Sequence, residues 1–254
     1  MADESSTRER TIIAARHVRD RLDEFRFKPL RRPLYRPDAG RSENEIRWGL
    51  RVFACPSVTL FRDLLQGFLV AYDHSLHATC FILARAMLET VAMTNYVCEL
   101  AEPHIKHKRW DRAWNEVLER ASIGSYYVNE HVKGAPDSHV LPLNVGKAIE
   151  SLTSIVPESM KPEYSYLSEI SHPDSLALMA YVDMNERGAI FHSHPQFRSE
   201  ELEKVLGLMI ALAALPYNRI FQLAEMKTAS KEFARIIRSF VKETSASSEE
   251  TTPS

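Results

Sequence analysis

Two short stretches of the sequence carry polar side chains at spacings that suit chemistry. In RAMLET, residues 85–90, Arg85 and Glu89 are four residues apart and can pair on one face of a helix. In YSYLSEISHPDS, residues 164–175, His172 offers an imidazole, which readily transfers protons near neutral pH. We therefore predict a catalytic site in which Arg85, Glu89 and His172 meet in space.

Four further polar residues lie in line with these stretches. Projected at about 100° per residue, a helix through the RAMLET pair places His74 and Tyr96 in the same narrow wedge. Tyr164 and Ser168 precede the histidine of the second stretch at four-residue intervals, on the same side of their helix. We predict that these four side chains bind a ligand.

Both stretches also have a structural interpretation. A charged pair on an otherwise apolar helix can be a buried ion pair that fixes the register between helices. His172 stands before Pro173, and the residue before a proline is disfavoured in the α conformation. The imidazole can then simply end its helix and bind the last carbonyl groups. The sequence leaves both interpretations open.

Long helices are the elements that position these residues. The chain has only eight glycines in 254 residues, and residues 57–101 contain no proline. Between Cys80 and Cys98 the helical pattern is apolar nearly all round, which predicts a central position. We predict an all-α fold, a multi-helix bundle around a long central helix, with a small β-hairpin near 178–194 where the hydrophobic period changes. The predicted helices cover about 6–25, 42–55, 56–101, 103–127, 144–155, 199–221 and 230–242.

The chain divides into three regions by composition. Residues 1–41 are predicted to form an N-terminal helix and an extended basic arm, because three prolines in KPLRRPLYRP exclude a helix there. Residues 42–242 form the helical bundle domain, which begins at a capping-box pattern from Ser42 to Glu45. Residues 243–254 are small, polar and acidic, and we predict a disordered tail.

Composition and charge exclude several classes of protein. A net charge of −2 gives no overall attraction to nucleic acid or to an anionic membrane. The longest uncharged apolar run, 205–215, is about half of the ~20 residues that cross a bilayer, and the first ten residues lack the apolar segment of a signal peptide. Three cysteines without a CxxC pair are typical of reduced core residues. We expect a cytoplasmic protein with no membrane contact.

Three histidine groups could contribute metal ligands, but none has the closing pair of a zinc site. They are His77 with Cys80, His104 with His107 and Asp111, and His192 with His194. We predict no metal and no cofactor.

A basic arm is the local patch that favours nucleic acid. It has no acidic residue from 27 to 37, and Tyr35 offers a ring for base stacking. We predict that its cations bind nucleic acid: Lys28, Arg31, Arg32 and Arg36. The structural alternative is that the arm packs over its own bundle or over a partner subunit.

The RAMLET helix, followed by the Y-x-x-L-S…H-P segment and a long C-terminal helix, resembles a set of uncharacterised bacterial helical proteins. The resemblance covers about residues 55–240. These proteins are similar in turn to HEPN proteins, helical bundles that dimerise and often cleave RNA through an R-x(4–6)-H motif. Three pairs in this sequence match that spacing: Arg10 with His17, Arg187 with His192 and Arg187 with His194.

Two functions follow from these patterns. The first is a cytosolic helical binding or regulatory module, a homo-oligomer, whose polar site contains Arg85, Glu89, Ser168 and His172. The alternative, implied by the resemblance, is a HEPN-like RNA-cleaving or nucleotide-binding protein of a defence or toxin system. In that case Arg187 acts with His192 or His194.

Overall fold

The protein is a helical bundle, seen in a computed structural model that describes residues 2–27, 33, 40–122, 143–156, 159–171, 182–185, 188–191 and 199–245. Its helices are α1 (Ala2–Glu24), α2 (Glu43–Asp73), α3 (His77–Lys106), α4 (Trp110–Arg112), α5 (Glu119–Ser122), α6 (Val145–Ser151), α7 (Lys161–Ser171), α8 (Ser199–Leu223) and α9 (Lys227–Ser245). A π-helical segment, Ala113–Leu118, joins α4 to α5, and a 3₁₀ turn, Leu152–Ser154, follows α6. The predicted all-α class is confirmed.

Helix α3 lies at the centre of the bundle, as its nearly uniform apolar sequence predicts. It packs against α2, α6, α7 and α8, and a fully buried row of side chains runs along its length. That row includes Phe81, Met87, Leu88, Val91 and Val97. The polar side chains of this helix between Cys80 and Cys98 are all at least partly buried.

Helix α1 belongs to the same core. Its narrow apolar stripe, which includes Ile12, Val18 and Leu22, is buried against α2, α8 and α9. Just beyond the helix, the ring of Phe25 stacks on Phe221 of α8, with the ring centroids 6.1 Å apart. The stripe is enough to attach a highly charged helix because its apolar side chains all point the same way.

The predicted continuous helix over 56–101 is wrong, because α2 ends at Asp73 and α3 begins at His77. Ser75 adopts a left-handed conformation with φ 57°, and the N–H of Leu76 bonds the carbonyl of Ala71 over 2.8 Å. These bonds form a Schellman end, for which glycine is the usual signal. Because the residue here is a serine, the sequence does not predict this helix end.

The same ending recurs at two other helices. Lys108 has φ 53° after α3, and Glu225 has φ 56° after α8. The following N–H groups, of Arg109 and Met226, bond back to His104 and Phe221 over 2.8 and 2.7 Å. All three helix ends use a residue other than glycine, so tertiary packing holds the backbone in a conformation that costs energy for a side chain with a Cβ atom.

Two predicted helix starts at proline are also wrong. Pro56 lies inside α2 and Pro103 inside α3, so neither begins a helix. Proline lacks an N–H and breaks one helical hydrogen bond, but both helices continue because their flanking residues pack on the bundle. Over 103–122, the described part of the predicted helix 103–127, the chain forms the end of α3 and the segment from α4 to α5.

The predicted capping box is confirmed at the start of α2, and a second side-chain cap is found at the start of α6. Ser42 caps α2, and a full capping box forms in which the Ser42 N–H donates to Glu45 Oε2 over 2.9 Å. Asn144 caps α6 by accepting from the N–H of Lys147. Capping depends on side chains within four residues, and the sequence therefore shows it directly.

Two short strands, β1 (Val182–Asn185) and β2 (Gly188–Phe191), pair antiparallel, with Val182 opposite Phe191. They lie within the region 178–194. Most of the predicted basic arm and the last nine residues of the predicted tail lie outside the described residues, while α9 continues to Ser245.

Helix α8 is long and apolar enough, over Glu200–Leu223, to cross a membrane by length and composition. Half of its most apolar window is buried inside the bundle, where α8 packs against α3 and α9. A core helix of this kind passes the same test as a membrane span.

Candidate functional site

The candidate site begins with three side chains from two helices. On α3, Arg85 Nε donates to Glu89 Oε1 over 3.0 Å, which confirms the predicted pairing one helical turn apart. From α7, the Tyr164 hydroxyl donates to the same Glu89 oxygen over 3.1 Å. Arg85 Nη2 in turn donates to the Tyr164 oxygen over 3.4 Å. We call these three residues the Arg85 triad.

The Arg85 triad is only partly shielded from water. The side chains of Arg85 and Glu89 are 23% and 32% exposed. Burial lowers the pKa of Arg85, but the hydrogen bonds with Tyr164 and Glu89 outweigh it, and the pKa is raised above its usual value. The guanidinium also lies over the Tyr164 ring, 5.4 Å from its centroid. Arg85 is therefore a permanent cation that holds Glu89 in one orientation.

Glu89 also lines an apolar cleft between α2 and α3, with a volume of about 740 Å³. From α2 the lining includes Phe53, Pro56, Ser57 and Leu60, and from α3 it includes Ala86, Glu89, Thr90 and Met93. Ala121 and Val145 also line it. Glu89 is the only charged side chain of this lining in the described part of the chain. We call this space the α2–α3 cleft.

The two oxygens of Glu89 have different environments. Oε1 accepts from both Arg85 and Tyr164. Oε2 forms no hydrogen bond or ion pair with any residue that the structure describes. The carboxylate is thus fixed by one oxygen, while the other keeps its capacity to accept a hydrogen bond.

Beneath the cleft lies a second polar cluster, which is buried. Ser57 Oγ is 2.9 Å from Thr94 Oγ1 and 3.1 Å from the Tyr217 hydroxyl, and Tyr217 donates to the Ser57 carbonyl over 3.0 Å. Burial raises the pKa of Tyr217 far above its usual value, although its hydrogen bonds with Ser57 and Thr94 oppose the shift. We call this group the Ser57 network.

The four predicted ligand-binding residues have different outcomes. Tyr164 joins the Arg85 triad. Ser168, one turn further along α7, has a hydroxyl shielded from solvent and without a hydrogen-bond partner in the described chain. Tyr96 is partly buried against the core, and no hydrogen bond joins it to the triad within the described residues. His74 is exposed at the end of α2, so its predicted alignment with the triad is wrong, because the break at Ser75 puts it on another helix.

Several predicted residues lie outside the described part of the chain. Helix α7 ends at Ser171, and His172 follows it without being described. The same holds for Arg187, His192 and His194 of the HEPN-like motif, and for the arm residues Lys28, Arg31, Arg32 and Arg36. Their roles stay predictions.

The cysteines and histidines of the described residues offer little reactive chemistry. Burial raises the pKa of Cys55 to about 11 and those of Cys80 and Cys98 to about 12, so all three are neutral thiols. His104 Nε2 lies 3.4 Å from Glu116 Oε2. No three His, Cys, Asp or Glu side chains within the described ranges group closely enough to hold a metal ion.

Neither the α2–α3 cleft nor the Ser57 network has a direct signal in the sequence. Ser57, Thr94 and Tyr217 are far apart in the chain, and small hydroxyl side chains are common in apolar helices. Only the polar residues within one helix, such as Arg85 and Glu89, could be paired by spacing.

Comparisons with known proteins identify no family for this chain. No family model matches the chain, and searches of curated proteins and of solved structures likewise return no match. The resemblance to HEPN proteins stays a prediction.

Proposed function

We propose that this protein is a binding or regulatory module, and that its ligand has an apolar body and a hydrogen-bond donor. One observation carries the proposal: Glu89 is held by Arg85 and Tyr164 through Oε1, while its Oε2 has no partner among the described residues and the residue lines an apolar cleft. The apolar body occupies the α2–α3 cleft, and the donor bonds Glu89.

The size and lining of the α2–α3 cleft suit a small organic molecule. Its volume of about 740 Å³ lies within the range of ligand sites, which are mostly apolar with a few fixed polar groups. Phe53, Leu60 and Met93 provide the apolar surface, and the hydroxyls of Ser57 and Thr90 are already hydrogen-bonded within the protein. Burial of the ligand's apolar surface against this lining is favourable, and the hydrogen bond with Glu89 sets the orientation of the ligand.

The Arg85 triad prepares the carboxylate for binding. Two hydrogen bonds fix Glu89 before a ligand arrives, so little side-chain freedom is lost on binding. Arg85 also neutralises the charge of Glu89, which favours a neutral donor such as an N–H or a hydroxyl over a second cation.

The apolar half of the proposal is tested with an uncharged solvatochromic dye, Nile red, whose emission rises in apolar sites. We expect saturable binding to the wild type and a loss of at least about tenfold in affinity for Ala86→Leu, which fills the cleft. Ala78→Leu is the matched control, because Ala78 is equally half-buried on α3 but does not line the cleft. Equal binding by both variants would contradict the proposal.

The polar half is tested with indole and 1-methylindole, which differ by one N–H donor. We expect indole to bind the wild type roughly three- to tenfold more tightly, as one hydrogen bond contributes about 0.5–1.5 kcal/mol. The preference should vanish in Glu89→Met, which keeps the shape of the side chain but has no carboxylate. An unchanged preference would exclude Glu89 as the acceptor.

RNA cleavage is the alternative function, and it can be tested directly. Hydrolysis of a single-stranded RNA by the wild type, lost in Arg187→Ala, would replace it with the HEPN-like function. The homo-oligomeric state and the cytoplasmic location are part of the proposal, and light scattering after size-exclusion chromatography measures the first.

A further inference from the structure

A groove with a volume of about 590 Å³ lies between α1, α8 and α9, and in the described chain it shares no lining residue with the α2–α3 cleft. Its surface is mostly apolar, and part of it contacts water, since Val241 is 47% exposed. The lining includes Thr11, Glu203, Leu208, Ala211, Phe240 and Val241. We call it the α8–α9 groove. A ligand whose apolar surface replaced this water would gain free energy from burial.

Glu203 adds a nearly buried carboxylate to this apolar lining. The residue is only 6% exposed, and its Oε1 accepts a hydrogen bond from the Tyr72 hydroxyl over 2.7 Å. Its Oε2 has no hydrogen-bond partner among the described residues, but unlike Ser168 Oγ it is not shielded from solvent. The carboxylate therefore has one oxygen that is fixed and one that remains accessible.

No cation within the described residues is bonded to this carboxylate. Glu203 forms no ion pair there, and its one partner is the Tyr72 hydroxyl. That hydroxyl is neutral, because burial, and then the hydrogen bond with Glu203, raise the pKa of Tyr72. Arg16, whose charge opposes this shift, is itself bonded to Asp73. A nearly buried carboxylate in this state is costly unless a positive charge joins it.

We propose that the α8–α9 groove binds an organic cation, whose apolar body lies on Leu208 and Val241 and whose ammonium group bonds Glu203 Oε2. An ammonium group supplies both the positive charge and the N–H donor that this oxygen lacks. The other charged residues of the described lining are Glu200 and Lys204, so the groove has one more carboxylate than ammonium. Lys204 is exposed, and water weakens its repulsion of a bound cation.

The comparison with Glu89 explains why this ligand is charged. Glu89 is bonded to the guanidinium of Arg85, so the α2–α3 cleft favours a neutral donor. Glu203 is bonded to a neutral phenol, so no positive charge lies beside it among its described partners. A neutral alcohol would leave the carboxylate unbalanced, and an anion would be repelled by it. The inference therefore does not depend on the ligand of the α2–α3 cleft.

The test adds phenethylammonium chloride to the whole chain and follows the methyl signals of Leu208 and Val241 by two-dimensional ¹H–¹³C NMR. We expect saturable shifts with a dissociation constant in the millimolar range, as befits a ligand of few atoms. Two analogues should bind at least about tenfold more weakly: 2-phenylethanol, which has a donor but no charge, and 3-phenylpropionate, which is an anion. The methyl signals of Leu60 report binding in the α2–α3 cleft separately.

A matched pair of variants separates an ammonium bound at Glu203 from general charge attraction. Glu203→Gln should weaken phenethylammonium at least about tenfold, although its amide oxygen can still accept from Tyr72. Glu201→Gln removes the same charge from an exposed side chain of α8 outside the described lining, and should leave the affinity unchanged.

Equal effects of the two variants, equal shifts with 2-phenylethanol, shifts confined to Leu60, or no saturable shift would overturn the proposal. Any of these results would show that the hydrogen bond from Tyr72 is all that Glu203 requires. Urea unfolding curves show whether each variant is folded, and the comparison of the three ligands on the wild type decides the proposal without any variant.

Discussion

The Arg85 triad and the Ser57 network place similar groups in opposite environments. Each contains a tyrosine hydroxyl and side chains from α3 and a neighbouring helix. The triad is charged, and its Arg85 and Glu89 side chains are 23% and 32% exposed. The network is neutral, with Thr94 and Tyr217 fully buried. Each cluster contributes one residue to the lining of the α2–α3 cleft, Glu89 from the triad and Ser57 from the network.

The difference separates stability from binding. In the Ser57 network the hydroxyls bond one another or backbone carbonyls, so the cluster is satisfied internally and removing a member leaves a buried polar group unpaired. In the Arg85 triad, water can replace a lost partner, and one carboxylate oxygen has no protein partner within the described residues. Substitutions should therefore affect stability in the network and ligand binding in the triad.

The largest effect is expected from Tyr217→Phe, which removes the hydroxyl of the Ser57 network. The free energy of unfolding should fall by about 1–3 kcal/mol, because the hydroxyl and carbonyl of Ser57 lose a hydrogen bond at a residue that is only 9% exposed. Urea unfolding at neutral pH measures the change. Tyr166→Phe is the control, since Tyr166 bonds Glu201 at the surface over 3.3 Å and should cost less than about 0.5 kcal/mol. Equal costs would remove the distinction between buried and exposed hydroxyls.

The next effect is a pH dependence confined to high pH. The pKa of Tyr217 is raised by burial, so above about pH 10 the unfolded chain releases a tyrosine proton that the folded protein keeps. The contribution of Tyr217 is complete below that pH and is lost as pH rises, by up to about 1.4 kcal/mol per pH unit. The stability difference between the wild type and Tyr217→Phe should therefore be constant from about pH 6 to 9 and shrink above 10.

Urea unfolding of both proteins across this range measures that difference. Burial also raises the pKa of Tyr166 to about 12, but Tyr166 is present in both proteins and its effect cancels. A difference that stayed constant to pH 11, or that shrank below pH 9, would show that Tyr217 does not titrate as a buried phenol.

A smaller effect is expected for the charged pair of the triad. A double-mutant cycle with Arg85→Met and Glu89→Met should give a coupling energy below about 1 kcal/mol, since both side chains contact water. The coupling should decrease further in about 1 M salt, where charges are screened. A coupling of several kcal/mol that is insensitive to salt would show that Arg85 and Glu89 behave as a buried ion pair.

The smallest effect is expected for Tyr164→Phe. The variant loses the hydroxyl between Arg85 and Glu89 but keeps the ring beneath the guanidinium. The direct Arg85–Glu89 bond remains, and we expect a loss of less than about 0.5 kcal/mol in urea unfolding. A loss comparable to that of Tyr217→Phe would show that the triad is a structural element of the bundle.

Much of the fold and part of the site could be predicted from spacing alone. The Arg85–Glu89 pair, the capping box at Ser42 and the central position of α3 depend on residues within a few turns of one helix. The contact between Tyr164 and that pair is 75 residues distant in sequence, and only its position on a common helix face was visible. The spacing predicts Tyr164 as a ligand-binding residue but does not predict its hydrogen bond with Glu89.

Helix boundaries show why the remainder could not be predicted. Pro56, Pro103 and Pro216 lie within helices, where local preference would end or bend them. Ser75, Lys108 and Glu225 adopt left-handed conformations, where local preference favours glycine. At each of these positions the burial of neighbouring apolar side chains outweighs a local cost of about 1–3 kcal/mol.

The helical class, the apolar faces, the capping box at Ser42 and the charged pair on α3 depend on short-range spacing and capping, and the sequence alone therefore predicts them. Only the tertiary structure decided where the long helices end, that His74 is separated from Arg85, and that Tyr164 bonds Glu89. It also decided that Ser57, Thr94 and Tyr217 form one network. The physical reason is that these features depend on which surfaces meet when apolar area is buried, and that choice involves residues far apart in the chain.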